Sequence, residues 1–118
     1  PRSALTSDNQ FAYLHELLIW TERHFQEHIS LDDAAKIAHL NRCYFSRYFK
    51  EKTGFTYFQY LNHVRISHAI ECLLSGKTTI ESCYESGFHN VSYFIQQFKR
   101  ITGYTTQEYL KQSGSFQS

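Results

Sequence analysis

A chain of 118 residues with 42% hydrophobic content can bury a core and is too apolar to remain disordered. Its net charge is only +1, but the charge is unevenly placed: −3 over residues 1–41, +4 over 42–65, −2 over 66–95 and +2 over 96–118. Two basic patches between acidic segments form a modest footprint for an anionic partner. No run approaches the ~18 consecutive apolar residues that span a bilayer, and no basic segment leads into an apolar run at the N-terminus, so no membrane contact and no secretory signal is expected. Cys43, Cys72 and Cys83 are odd in number and not closely paired, which fits a reducing, cytoplasmic setting.

The only proline is Pro1 and there are five glycines, so helices can run uninterrupted. The polar stretch 1–7 reads as a linker, and 113–118 as a tail. Helices are expected over about 8–27, 31–38, 42–52, 57–74, 79–86, 91–101 and 106–112, with no competing strand pattern. Ser30 with Asp33, Thr56 with Gln59, Thr78 with Glu81 and Thr105 with Glu108 are capping boxes, and Asn41 and Asn90 are N-caps. Phe55/Tyr60 and Tyr104/Tyr109 stand at hydrophobic-staple positions. Gly54 and Gly103 follow the last periodic residues of their helices, where a left-handed residue belongs. The helix 57–74, carrying Phe58, Leu61, Val64, Ile70, Leu73 and Leu74, is too apolar for a free linker and reads as a connecting brace.

A shift of 49 residues aligns Tyr44-Phe45 with Tyr93-Phe94, Phe49-Lys50 with Phe98-Lys99, Thr53-Gly54 with Thr102-Gly103 and Tyr60-Leu61 with Tyr109-Leu110. One supersecondary unit is therefore used twice: a short helix, a tight turn and a longer helix, the spacing of a helix-turn-helix. The expected architecture is all-α, seven helices in two helix-turn-helix subdomains (8–56 and 76–112) joined by a long central helix (57–75). The close helix crossing needs a small residue, supplied by Ala35 and Cys83. The turn needs a positive φ, which Gly87 adopts freely and His39 less comfortably.

Each longer helix divides by period. Phe45, Tyr48, Phe49 and Lys52 share one face, and Arg42, Cys43, Ser46, Arg47 and Lys50 the other. In the second copy Phe94, Phe98 and Ile101 fall inward, and Val91, Ser92, Ile95, Gln96 and Lys99 outward. Short and bidentate side chains opposite an aromatic stripe suit a groove-reading helix. Arg47 can fork onto guanine O6/N7, Gln96 can pair with adenine, and Val91 and Ile95 can meet thymine methyls. Lys50, Lys99 and Arg100 lie where phosphates are expected, with Asn41 and Asn90 at the helix starts. Arg65 is expected to be structural.

With these residues in place, SLDDAAKIAHLNRCYFSRYFKEKTGFTYFQYLNHVRISHAIECLL and TIESCYESGFHNVSYFIQQFKRITGYTTQEYL resemble the DNA-binding domain of the AraC/XylS family of bacterial transcription regulators, over roughly residues 8–112. The resemblance implies two lobes with recognition helices about one DNA turn apart, and double-stranded DNA as the partner. It carries base contacts onto Cys43, Ser46 and Arg47, and onto Val91, Ser92, Ile95 and Gln96; Arg42 is placed with them. It also implies an effector-sensing, receiver or dimerising domain N-terminal to this module; RNA polymerase is expected as a further partner. Three departures stand out: Thr106 replaces the proline that opens the family's last helix; Ile95 and Gln96 stand where arginine or another polar residue is common; and Thr79 and Ser82 replace apolar residues, which weakens the second core. The first lobe is therefore expected to dominate specificity.

No metal, cofactor or catalytic group is expected. His24 and His28, four apart on one helical face, lack a third ligand and read as a solvated face. Cys72 and Cys83 read as core residues, and Cys43 as outward-facing. The competing reading is a protein-interaction module that contacts RNA polymerase or another regulator, favoured by the uncharged outward face of the second copy.

Overall fold

In a computed structural model the chain forms α1 (Arg2–His24), α2 (Leu31–Ile37), α3 (Arg42–Thr53), α4 (Tyr57–Leu74), α5 (Thr79–Glu85), α6 (Val91–Thr102) and α7 (Thr106–Ser113). The structure describes residues 2–114, with side chains from Asn9 onward, and among these there is no strand. From residue 31 on, every helix agrees with expectation to within one residue. The first does not. It starts at Arg2 and so takes in the stretch expected as a linker, while Pro1 and residues 115–118 of the expected tail lie outside the described residues. It also stops at His24, short of 27. There His24 Nδ1 donates to the Trp20 carbonyl at 2.8 Å and the two rings stack at 4.7 Å, so a side chain satisfies an acceptor at the helix end.

Caps fix the other boundaries. Ser30 with Asp33, Thr78 with Glu81, and Thr105 with Glu108 form reciprocal capping boxes, and Thr56 with Gln59 exchanges the same two bonds. The backbone N–H donated to each of Asp33, Glu81 and Glu108 holds that carboxyl below its ordinary pKa. The Tyr104 and Tyr109 rings meet at 6.5 Å, as a staple requires.

Both helix-turn-helix turns use one device. Leu40 N–H donates to Ala35 O and His39 N–H to Lys36 O; Phe88 N–H donates to Cys83 O and Gly87 N–H to Tyr84 O. These paired bonds form a Schellman motif whose left-handed residue is His39 (φ 61°) in one copy and Gly87 (φ 98°) in the other. His39 is held there with its ring stacked on Tyr13 at 3.9 Å. Leu40 and Phe88 then turn inward onto the cores, the apolar contact that accompanies this motif. Ala35 and Cys83, the small residues at the crossing, are buried. His89 makes the second turn one residue longer: Asn41 caps α3 two residues after His39, while Asn90 caps α6 three after Gly87.

By contacts the chain divides into two compact units, Pro1–Leu61 and Asn62–Ser118, and the boundary falls within α4. The first core gathers Leu14, Leu17, Ile29, Ala34, Phe45, Phe49, Tyr57 and Leu61. Burial there pushes the Tyr60 phenol up to about 12, with Glu22 and Tyr57 adding to the shift. The second core gathers Ile66, Ala69, Leu73, Cys83, Phe88, Phe94 and Phe98. Along α4, Phe58 and Leu74 are exposed rather than packed. Tyr57, on the same face as Leu61, is buried instead, and its hydroxyl is satisfied by Thr21 Oγ1 at 2.7 Å inside the core.

Two departures from the family pattern meet in the second unit. Thr79 Oγ1 and Thr106 Oγ1 lie 3.1 Å apart, so each hydroxyl has a partner and neither is a defect. Ser82 differs: it is fully buried and its Oγ has no hydrogen-bond partner. A buried hydroxyl without a bond is destabilising, so Ser82→Ala should raise unfolding free energy by roughly 1–2 kcal/mol. A denaturant titration checks this; an unchanged or lower midpoint contradicts it.

Candidate nucleic-acid interface

α3 and α6 are built alike. Asn41 Oδ1 accepts the Tyr44 N–H at 2.9 Å and Asn90 Oδ1 the Tyr93 N–H at 2.8 Å. At the far ends, Thr53 Oγ1 donates to Phe49 O and Thr102 Oγ1 to Phe98 O, both at 2.8 Å, before the left-handed Gly54 and Gly103. The two asparagines thus spend their oxygens on caps, and only their amide N–H groups can meet an anion.

Underneath, α3 is anchored by Phe45, Tyr48 and Phe49, and α6 by Phe94, Gln97 and Phe98. Phe49 contacts the rings of Phe45, Tyr57 and Tyr60 at 5.5–5.8 Å, and Phe98 those of Phe94 and Tyr109 at 5.7–5.9 Å. Lys52, expected inward, is exposed: its ammonium lies 5.7 Å from the Tyr48 ring centroid, which covers the aromatic while keeping the charge in water.

The outward set on α3 is as expected: Arg42, Cys43, Ser46, Arg47 and Lys50 are all exposed. Arg42 Nε lies 3.7 Å from Asp32 Oδ1, but both side chains are more than half exposed, so this ion pair is a weak tether. Lys50 lines a shallow groove with Ser46, Arg47, Glu51 and Thr56.

On α6, Ser92, Ile95, Gln96, Lys99 and Arg100 are exposed. Val91 is not: it is half-buried against the second core, so the outward place assigned to it needs correction. The first turn of a helix docked on a core presents part of its side chains to that core, and Val91 falls on the boundary. Lys99 lines a groove with Gly103, Tyr104 and Glu108.

Two features escaped the sequence reading. Tyr44 and Tyr93 are exposed on the two helices. Gln97 and Asn62 form a buried polar pair, visible in sequence only as a polar residue at an inward position of α6. Arg65 is half-buried with its guanidinium 6.0 Å from the Phe88 ring centroid, in line with the structural role expected of it.

Cys43 is exposed, while burial pushes the Cys72 and Cys83 thiols up. No helix among the described residues is long and apolar enough to cross a membrane.

Two capped turns, each carrying an exposed helix face over an aromatic underside, define a double helix-turn-helix domain. A family profile described as "Helix-turn-helix domain" matches residues 34–112. Among curated proteins the chain is 32% identical to the Tn10 TetD protein of Escherichia coli, over 86% of this chain and 76% of that protein. It is 32% identical to the uncharacterized HTH-type transcriptional regulator YdeC of Bacillus subtilis (strain 168), over 83% of this chain, and spans only 34% of that protein. Among solved structures it is similar to the DNA-binding domain of AdpA, a global transcriptional factor, in complex with a target DNA (TM-score 0.76, 25% identity, covering 86% of this chain and 93% of that one). It is also similar to the C-terminal domain of the two-component response regulator yesN from Fusobacterium nucleatum (TM-score 0.72, 26% identity, covering 79% and 92%). The chain belongs to the AraC/XylS family of helix-turn-helix transcription regulators and carries its DNA-binding domain.

Proposed function

We propose that this domain binds double-stranded DNA sequence-specifically, with α3 and α6 entering successive major grooves. The observation that carries the reading is the pair of outward faces: on each helix, exposed hydrogen-bonding and basic side chains stand opposite fully buried phenylalanines. Arg47 is the chief base reader of α3, with Cys43 and Ser46 beside it and Arg42 able to leave Asp32 for the DNA. On α6, Gln96 pairs with an adenine, Ile95 meets a thymine methyl, and Ser92 lies alongside; half-buried Val91 adds at most a methyl contact. Lys50, Lys99 and Arg100 take phosphates, with the amide groups of Asn41 and Asn90. The AdpA complex supports DNA as partner.

The remainder of the regulator is part of the same proposal. The chain spans about a third of YdeC, and the yesN neighbour is a C-terminal domain, so an N-terminal effector, receiver or dimerising domain completes the protein. The regulator acts in the cytoplasm, contacts RNA polymerase and catalyses no reaction.

Electrophoretic shift across a salt series tests this reading. Binding to duplex DNA should weaken steeply as salt rises, and Lys50→Ala should weaken all sequences alike while lowering the salt slope by about one. Failure to shift any duplex would instead favour a protein-interaction module.

A further inference from the structure

The second unit contains a polar cluster that no base contact uses. Gln97 lies on the inward side of α6 and is 8% exposed, as is Asn62 on α4. Gln97 Oε1 accepts from Arg100 Nε at 3.3 Å and Nη2 at 3.2 Å, and from Asn62 Nδ2 at 3.5 Å. Asn62 Nδ2 also donates to the Tyr93 hydroxyl at 2.8 Å. By the 49-residue repeat, Tyr48 corresponds to Gln97 and Glu51 to Arg100. The first unit therefore has an aromatic ring where the second has this acceptor.

We infer that Gln97 is a positioning residue that fixes the direction of the Arg100 guanidinium for a DNA phosphate. The inference rests on Arg100 being a phosphate contact. A solvated arginine samples many rotamers, and immobilising one on binding lowers affinity. Here the Gln97 oxygen takes Nε–H and one Nη2–H, which leaves the three other N–H donors of the planar fork for an incoming oxygen. Asn62 holds Gln97 from behind, so the fork is set before DNA arrives.

A neutral acceptor suits this task better than a carboxylate, because it directs the guanidinium without cancelling its charge. The placement also answers a need of α6. Val91, Ser92, Ile95 and Gln96 carry no charge, so its register on the duplex depends on the phosphate contacts that follow them.

A double-mutant cycle with Gln97→Met and Arg100→Ala tests the inference. Methionine keeps the length and volume of glutamine and removes the acceptor, and a thermal melt verifies that the variant folds. Gln97→Met should weaken binding about three- to tenfold, equally on a duplex selected by the protein and on a scrambled one. In the Arg100→Ala background the same substitution should change nothing. An equal loss in both backgrounds would show that Gln97 acts through packing, and no loss in the parent protein would show that Arg100 needs no support; either result overturns the inference. If Arg100→Ala alone leaves affinity and salt slope unchanged, Arg100 does not meet a phosphate, and the underlying reading falls together with the inference.

Discussion

Phe49→Ala and Phe98→Ala should each lower stability by about 3–5 kcal/mol, because each removes a fully buried ring from a small core. The two residues stand at matching places in the repeat, on the inward side of α3 and α6. Each holds its helix to the rest of its unit through ring contacts of 5.5–5.9 Å. Units of about 60 residues bury a modest share of their surface, so a loss of this size takes most of the margin. Circular dichroism melts measure it. Trp20, the only tryptophan, is half-buried in the first unit, so its emission shows when Phe49→Ala opens that unit. A melt within about 1 kcal/mol of the parent for either variant would mean that the core had relaxed around the cavity.

Arg47→Ala should cost about 1–3 kcal/mol on the preferred site and relax the preference at one base pair. Arg47 is exposed on α3 among short neighbours, Cys43 and Ser46, which leave its fork room to reach a base edge. The opposite side of the helix is locked by Phe45 and Phe49, so the direction of Arg47 follows from packing. Lysine at this position should not restore the preference, since a point charge cannot make the paired bonds of a guanidinium. Affinities for duplexes changed at one position at a time read this effect. A uniform loss over all of them would move Arg47 to the phosphate contacts.

Much of this was legible because local rules decide it. Caps such as Ser30/Asp33 and Thr78/Glu81 depend on residues three apart, and the left-handed turns at His39 and Gly87 on one residue each. The outward faces of α3 and α6 followed from a 3.6-residue period set against large aromatics. What stayed hidden depends on partners distant in sequence. Thr79 and Thr106 read separately as departures, yet they bond to each other across 27 residues. Gln97 drew no notice because its meaning lies in Asn62, 35 residues away, and Arg100. Val91 misled because periodicity assigns it a face but not how closely the start of α6 approaches its core. Phe58 misled likewise: it lies off the face of α4 on which Tyr57 and Leu61, four residues apart, meet the first core.

Selection of bound sites from random duplex DNA, run in parallel with the parent protein and Arg47→Ala, tests the central claim most directly. The parent should enrich two short boxes about ten base pairs apart, the spacing of successive major grooves. The variant should lose its preference at one position of one box and keep the other box intact. Enrichment of no sequence by the parent, or of one and the same motif by both proteins, would contradict the claim that these helix faces read DNA.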